Sequence, residues 1–258
     1  INMYQGKFVD YYDKIFSKKE YQKETEYIFD ACELYSESKI HNVLDFGCGT
    51  GNHATILTKD RNIQVTGYDI SREMIKIAKL KKFENNCCDF FHDRKKLLLD
   101  KTKYDLVISM FYVVNHLLTI EEVENFIKVA RLKLNDDGML IFDCWNGISV
   151  LKDPPNSSKR ERFSEGNIKI ETVCLANTDL LNSKVEMKNN VKVFKDDVVT
   201  SEFDYNLTHT VWTPFVLKEL LRKNNFEVIK VNKAYDLNKE ATERDYKIVF
   251  ICKYRGEI

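Results

Sequence analysis

The eleven residues Val43–His53 constrain the fold more than any other stretch of this chain. Their sequence, VLDFGCGTGNH, places Gly47, Gly49 and Gly51 at alternate positions directly after a short apolar run that ends in Asp45. Glycine adopts positive φ angles and removes side chains where a ligand must approach the main chain. A helix that follows such a turn offers free N–H groups to a ligand. The pattern therefore predicts a β-strand, a tight loop that binds a nucleotide-like ligand, and a helix.

The glycine spacing distinguishes this loop from two other nucleotide-binding loops. The dinucleotide fingerprint is G-x-G-x-x-G and the triphosphate loop ends in G-K-S/T, whereas this chain has G-x-G-x-G. The pattern resembles motif I of the class I S-adenosylmethionine-dependent methyltransferases. The resemblance implies an α/β fold with a Rossmann-like, seven-stranded sheet, and S-adenosylmethionine as methyl donor with S-adenosylhomocysteine as product. It assigns cofactor contacts in the loop to Asp45, Gly47, Cys48, Gly49 and Gly51.

The next predicted strand ends in an acid at the position where this fold binds a ribose. Asp69 closes the apolar run Ile63–Asp69, and such an acid is expected roughly 20 residues after the glycine loop. Its two carboxylate oxygens can accept hydrogen bonds from both ribose hydroxyls. The residues that follow open a helix, and Ile70 and Met74 are assigned to the cofactor site with Asp69.

The third and fourth predicted strands carry further candidates. The family places an acid and an apolar residue after the third strand to hold the adenine, and the segment CCDFF supplies Asp89 and Phe90. The fourth strand ends at Met110, which is the last predicted cofactor contact along the chain. Open α/β sheets hold ligands beyond the carboxyl ends of their strands. The candidate substrate contacts there are Phe111, Tyr112 and Asn115.

Methyl transfer from a sulfonium depends mainly on aligning the acceptor with the methyl group and excluding water. A hydroxyl or amino acceptor also loses a proton, and histidine is the usual base near neutral pH. His116, six residues past Met110, is the first catalytic candidate, and His209 in YNLTHTVW is the second. The alternative for His116 is capping or packing of the next helix, and for His209 it is packing within a strand. Asp143 and Trp145, at the end of the fifth strand, are expected to line the same pocket.

The order of predicted elements gives the fold class. Apolar residues recur at three- and four-residue intervals from residue 4 to 37, which predicts leading helices. Strands are predicted near residues 40–46, 63–68, 104–110 and 138–144. Helices alternate with them near residues 51–59, 71–80 and 120–133. This alternation is typical of a doubly wound parallel sheet.

The second half of the chain has a different pattern. Alternating apolar residues from about 160 to 211 predict β-hairpins in an antiparallel insertion. Thr213-Pro214 begins a helix, and two later apolar runs are expected to complete the sheet as an antiparallel pair. The predicted divisions are a cofactor-binding core at 3–150, the insertion at 151–211 and the completion of the core at 212–258.

Four longer phrases resemble the bacterial small-molecule branch of these methyltransferases. They are YYDKIF together with Tyr21, SMFYVVNHLL, FDCWN and the β insertion. That branch includes N-methyltransferases of nucleotide-linked amino sugars and relatives that tailor surface polysaccharides. The resemblance implies that an aromatic residue of the leading helix reaches the methionine carboxylate, so Tyr12 and Tyr21 are candidates, with helix packing as the alternative. It also implies that the insertion forms part of the acceptor pocket or of a homodimer interface.

The expected function is therefore O- or N-methylation of a sugar or phosphorylated precursor in capsule biosynthesis. A basic cluster would suit a phosphorylated acceptor, with a solvated surface as the alternative. Its members are Lys152, Lys159, Arg160 and Arg162. Two other functions stay open: methylation of RNA or protein, for which the sequence lacks an N/D-P-P-Y/F motif, and S-adenosylmethionine binding without catalysis.

Composition narrows the expected partners. Forty basic and forty acidic residues leave no net charge, which argues against a general nucleic-acid binder and favours a small-molecule acceptor. No apolar stretch of about 18 residues is present and the first residues do not resemble a signal peptide, so a cytoplasmic protein without a membrane partner is expected. Seven cysteines without paired spacing and five scattered histidines predict no metal site.

Overall fold

The computed structural model describes residues 4–59, 63–83 and 87–256, so Met3, the first residue of the predicted core, lies outside the described residues. The helices are α1 (Lys7–Ile15), α2 (Tyr21–Tyr35), α3 (Asn52–Leu57), α4 (Arg72–Leu80), α5 (Arg94–Leu99), α6 (Ile120–Lys133), α7 (Gly147–Lys152) and α8 (Pro214–Lys223), with a 3₁₀ helix at Val113–His116. The strands are β1 (Asn42–Phe46), β2 (Gln64–Tyr68), β3 (Cys88–Phe91), β4 (Tyr104–Ser109), β5 (Leu134–Trp145), β6 (Ser158–Glu165), β7 (Ile168–Asp179), β8 (Lys184–Lys195), β9 (Val198–Thr210), β10 (Phe226–Lys233) and β11 (Lys247–Tyr254).

Seven strands form the main sheet in the order β3-β2-β1-β4-β5-β11-β10. Neighbours from β3 to β5 are parallel, whereas β11 runs antiparallel to both β5 and β10. This arrangement confirms the predicted α/β class and the antiparallel pair that completes the sheet. Because β1 lies between β2 and β4, the strand order reverses there and opens a crevice at their carboxyl ends.

Helices cover both faces of the main sheet. Neighbouring residues on a strand point to opposite faces, so Val43 and Leu44 of β1 belong to two different core clusters. The helix starts follow ordinary capping chemistry: the side chain of Ser71 accepts from the Met74 N–H before α4, and Thr119 with Glu122 forms a capping box before α6. None of the described helices is long and apolar enough to span a membrane.

The second sheet is an antiparallel meander in the order β6-β7-β8-β9, and its strands lie within the predicted insertion. One face packs against α1, where Phe8 stacks on Tyr205 with ring centroids 4.0 Å apart. Ile170, Val191 and Val193 complete this cluster. His209 of β9 contacts His116, after β4, and Trp145, at the end of β5, so the second sheet lies over the carboxyl ends of both strands.

Candidate active site

The glycine loop connects β1 to α3 as predicted. Gly47, Gly49 and Gly51 have φ angles of 82°, 54° and 77°, which glycine adopts without strain. The N–H groups of Gly47 and Cys48 donate to the carbonyl of Tyr68 at 2.7 and 3.0 Å, so the loop is tied to the end of β2. A Cβ atom at Gly47 would lie 2.5 Å from Val113 Cγ2, whereas one at Gly49 would meet no atom within 4 Å. Main chain is therefore accessible to a ligand at Gly49.

Asp69 lies beside this accessible main chain. Its Oδ2 accepts from the Gly49 N–H at 2.9 Å, and its Oδ1 accepts from the Ser71 N–H at 2.8 Å. Burial raises the pKa of the carboxyl group, and these two hydrogen bonds partly offset that rise. The acid is thus fixed at the carboxyl end of β2, within the crevice.

Asp45 is a buried acid without a full set of partners. The residue is 1% exposed, and its Oδ2 has no hydrogen-bond partner in the described part of the chain. Burial raises its pKa to about 6, although His53 acts in the opposite direction. A buried carboxylate of this kind gains most from a cationic ligand group, such as an amine.

The third strand corrects one expectation. Asp89 and Phe90 lie inside β3 rather than after it, and Asp89 faces solvent, where it pairs with Lys96 at 3.3 Å. Phe90 is buried and packs beneath the glycine loop, close to Gly51. The acid that follows the strand is Asp93, which caps α5 by accepting from the Lys95 N–H.

The other predicted cofactor contacts divide by exposure. Met74, Met110 and Cys48 are buried in core clusters, whereas Ile70 is 74% exposed next to Asp69. Ile70 therefore offers apolar surface at the carboxyl end of β2, while the three sulfur-containing side chains support the surrounding main chain.

The tyrosines of the leading helices lie near the loop. Tyr12 is buried, and the Tyr21 ring meets His53 edge-on with centroids 5.0 Å apart. Burial raises the pKa of both phenols, so they stay neutral donors. Asp13, which the sequence analysis missed, anchors α1 on the loop by accepting from Thr50 Oγ1 at 2.6 Å.

A cavity of about 1000 Å³ opens between the leading helices, the carboxyl ends of β4 and β5, and the second sheet. Five of the predicted substrate and catalytic residues line it, which brings together segments far apart in sequence. These residues are Phe111, Tyr112, His116, Trp145 and His209.

Asn115 and Asp143, unlike the other predicted substrate contacts, do not line this cavity. Both are 0% exposed and hold irregular backbone, whose N–H and C=O groups require partners. Asn115 donates to the carbonyl of Thr210 at 2.9 Å and accepts from the Trp145 N–H at 2.8 Å. Asp143 accepts from the Tyr112 N–H at 2.7 Å, where the Tyr112 φ angle is 62°. They position cavity residues instead of facing the cavity.

The two histidines meet at the cavity wall. His116 Nε2 lies 2.9 Å from the Tyr4 hydroxyl and 3.3 Å from His209 Nε2, and Trp145 packs edge-on against His209. Burial lowers the pKa of His116 to about 4 and that of His209 well below its usual value, so both rings are neutral at physiological pH. Nothing in the sequence predicted the contact from Tyr4.

The basic cluster separates into two parts. Arg160 and Arg162 line the cavity, and the buried Nε of Arg162 has no hydrogen-bond partner among the described residues. Lys159 is exposed and pairs with Glu171 at 3.0 Å, and Lys152 ends α7 on the surface. Two of the four cations are thus available to a ligand in the cavity.

Comparison with known proteins gives one family and a consistent fold. The model of a methyltransferase domain family matches residues 10–231. A Geobacillus sp. (strain WCH70) protein, provisionally named a methyltransferase, is 31% identical over 138 residues, which are 53% of this chain and 55% of that protein. The chain therefore spans little more than half of this relative.

Two solved structures share the fold over nearly the whole chain. An S-adenosylmethionine-dependent methyltransferase from Clostridium acetobutylicum matches with a TM-score of 0.79 at 19% identity, covering 97% of this chain and 98% of that one. An amino pentose methyltransferase from Micromonospora echinaspora, involved in calicheamicin biosynthesis, matches with a TM-score of 0.74 at 17% identity and 98% coverage of both chains. At these identities the matches establish a common architecture.

Proposed function

The chain belongs to the methyltransferase domain family, and we propose that it transfers the methyl group of S-adenosylmethionine to a small acceptor of the sugar type. The family match confirms the resemblance of the glycine motif. An acceptor that is a phosphorylated precursor of a surface polysaccharide is the finer form of this proposal, and it rests on the resemblance of the longer sequence phrases.

The crevice fits S-adenosylmethionine in chemical terms. Asp69 stands where both ribose hydroxyls can donate to its carboxylate, and Gly49 leaves main chain open for close approach. The unpaired Oδ2 of Asp45 suits the amino group of the methionine portion. Asp93 follows β3, so we include it as a candidate for the adenine contact. The bound cofactor supplies a methyl group that its sulfonium charge has already activated.

The acceptor class is supported most by the unpartnered polar atoms around the cavity. Nine buried side-chain polar atoms lack a hydrogen-bond partner within the described residues, and five of them belong to residues that line this cavity. Each such atom costs about 1–3 kcal/mol unless a ligand satisfies it. The five residues are His116, Trp145, Arg162, His209 and Tyr246. An acceptor with many hydroxyl groups would satisfy them.

Charge and shape agree with a sugar that carries a phosphate. The guanidinium groups of Arg160 and Arg162 can bind phosphate oxygens, which arginine contacts in pairs. The aromatic rings of Tyr112 and Trp145 offer flat apolar surface to a sugar ring, with centroids 6.1 Å apart. The structural similarity to an amino pentose methyltransferase supports the same class of acceptor.

The chain's residues can promote transfer mainly by alignment and exclusion of water. Asp143 and Asn115 fix the backbone beside Tyr112 and Trp145, so the cavity wall is rigid where the acceptor would lie. His116 and His209 are neutral and can accept a hydrogen bond from a hydroxyl or amino nucleophile. Their lowered pKa values make either ring a weak proton acceptor, so the proton would leave to bulk solvent after the methyl transfer.

The proposal is tested by incubating the protein with methyl-labelled S-adenosylmethionine and four separate probes: nucleoside-diphosphate-linked amino sugars, sugar phosphates, total RNA and total protein. Label is expected in one of the first two, with loss of transfer in the Asp69→Ala variant. Label only in RNA or protein would overturn the acceptor class. Tight binding of S-adenosylmethionine without transfer to any probe would favour a non-catalytic binding protein.

A further inference from the structure

His116 and His209 come from different sheets and form a close pair. His116 ends the 3₁₀ helix after β4, and His209 lies near the end of β9. Their Nε2 atoms are 3.3 Å apart, and their rings are nearly perpendicular with centroids 4.4 Å apart. Both Nδ1 atoms are buried and lack hydrogen-bond partners among the described residues. The pair therefore has one internal contact and two unpartnered nitrogen positions.

The internal contact restricts the tautomers. A neutral imidazole has one N–H and one bare nitrogen. Two bare Nε2 atoms would repel each other and two Nε2–H groups would clash, so the contact favours an arrangement in which one ring donates to the other. The donating ring then has a bare Nδ1, and the accepting ring has an Nδ1–H. The two unpartnered positions are therefore of opposite type in either arrangement.

The surroundings keep the pair uncharged. The Tyr4 hydroxyl contacts His116, the Trp145 ring contacts His209, and burial raises the pKa of Tyr4. No carboxylate of the described residues hydrogen-bonds either imidazole. Burial lowers the pKa of both histidines, and the neighbouring His116 lowers that of His209 further.

We propose that His116 and His209 act as one unit, joined by an Nε2–H···Nε2 hydrogen bond, that presents one hydrogen-bond acceptor and one donor to the methyl acceptor. His209 is then a specificity-determining residue of the site, and this role rests on the proposed function. The unit recognises a neutral nucleophile that carries hydrogen and stands next to an oxygen atom.

This recognition defines a class of acceptor. The X–H group of the nucleophile donates to the bare Nδ1, and the neighbouring oxygen accepts from the Nδ1–H of the other ring. An amino or hydroxyl group beside a second hydroxyl or a ring oxygen, as in a sugar, meets both requirements. A charged ammonium group offers only donors and leaves one position unmatched, so an amine must bind in its neutral form.

Nuclear magnetic resonance of the uniformly ¹⁵N-labelled protein tests the tautomers without any ligand. Two-bond ¹H–¹⁵N correlations at pH 7 distinguish an N–H nitrogen from a bare one in each ring, and His116→Gln and His209→Gln assign the signals. We expect one ring protonated only at Nε2 and the other only at Nδ1. If both rings have the same tautomer, or if either ring is charged at pH 7, the proposed hydrogen bond between two neutral rings is disproved.

The Tyr4 hydroxyl is the competing partner of His116 Nε2, so Tyr4→Phe is the matched control. Opposite tautomers are expected to persist in this variant. If they become identical, Tyr4 sets the tautomer and the hydrogen bond between the two rings is disproved. If His209→Gln does not fold, His209→Phe replaces it for the assignment.

Kinetics then separate the pair from the proposed function. The substrate is the sugar probe that accepts the methyl label. His209→Gln is expected to raise KM for this sugar roughly three- to tenfold, which corresponds to the loss of one neutral hydrogen bond, and to leave KM for S-adenosylmethionine unchanged. An unchanged KM for the sugar would refute the role of His209 in recognition. If the two rings have opposite tautomers but no probe is methylated, the hydrogen-bonded histidine pair would be supported and the proposed function refuted.

Discussion

The Oδ2 atom of Asp69 accepts a hydrogen bond from the backbone N–H of Gly49 at 2.9 Å, which joins the end of β2 to the tip of the glycine loop. The other oxygen of the same carboxylate accepts from the Ser71 N–H at the start of α4. One acid therefore holds two segments of the crevice together before any ligand binds. Its remaining lone pairs stay available to the ribose hydroxyls.

Asp69→Ala is expected to weaken S-adenosylmethionine binding by at least roughly a hundredfold, because charge-assisted hydrogen bonds to two hydroxyls contribute about 1.5–3 kcal/mol each. Asp69→Asn is the matched control, since its amide oxygen can still accept from Gly49 while its charge is lost, and it should bind with an intermediate affinity. Isothermal titration calorimetry measures both. An alanine variant with unchanged affinity would remove Asp69 from the cofactor site.

The protonation of Asp45 should link stability to pH. Its pKa of about 6 in the folded protein exceeds the ordinary value of 3.8, so the folded state holds the proton more tightly than the unfolded state. Its contribution to stability is therefore largest near pH 4, falls as pH rises to 6 and is constant above that, a total change of about 3 kcal/mol. Asp45→Asn should remove this dependence. Denaturant unfolding at pH 4–7 compares the two, and parallel curves would contradict the prediction.

Ligand binding should show the opposite trend with pH. The ionised carboxylate attracts the amino group of S-adenosylmethionine, so affinity should rise as the pH passes through about 6. In Asp45→Asn the affinity should be lower and nearly independent of pH in this range. Calorimetric titrations at pH 5, 6 and 7 measure both trends. A wild-type affinity that does not change with pH would place the amino group away from Asp45.

The elements that could be predicted from the sequence are those that short patterns of neighbouring residues determine. The glycine loop, the position of Asp69 and the order of strands follow from residue spacing and periodicity, and the structure has them as expected. The end of β3, after Phe91, was not predicted because the segment CCDFF has no alternation that marks it. The burial of Asn115 and Asp143 could not be predicted, because a place near the end of a strand does not determine which way a side chain points.

Contacts between segments that are far apart in the chain could not be predicted from the sequence. Tyr4 and His116 are 112 positions apart, and His116 and His209 are 93 positions apart. His209 reaches His116 because β9 lies beside the 3₁₀ helix, where Asn115 donates to the carbonyl of Thr210, and Tyr4 reaches His116 from the segment that precedes α1. Local periodicity contains no information about this packing, so the histidines could be proposed one by one but not as a pair.

Arg162 provides a test of phosphate recognition. Because its Nε is buried without a partner in the described structure, Arg162→Gln should raise KM for a sugar phosphate roughly tenfold while KM for S-adenosylmethionine stays constant. Lys159→Gln is the matched control, since Lys159 is exposed and pairs with Glu171 away from the cavity. Steady-state kinetics distinguish the two variants. Equal effects would mean that general surface charge, and not the cavity, attracts the substrate.

The packing of the Phe90 ring against Gly67 can be tested by substitution. A Cβ atom on Gly67 would lie 2.6 Å from Phe90 Cε1 and 2.9 Å from Cys48 Sγ, so the buried ring beneath the loop leaves no space for a methyl group. Gly67→Ala is therefore expected to lower the free energy of unfolding by about 1–3 kcal/mol, as overpacked cores do.

The smaller side chain in Phe90→Leu should make room for that methyl group. The single change leaves a cavity and should also destabilise the protein, but the double variant should be more stable than the sum of the two single effects predicts. Denaturant unfolding of the four proteins measures this coupling. Strictly additive effects would mean that Phe90 does not pack under the loop, and the residue would then be free to contact the adenine as the sequence first suggested.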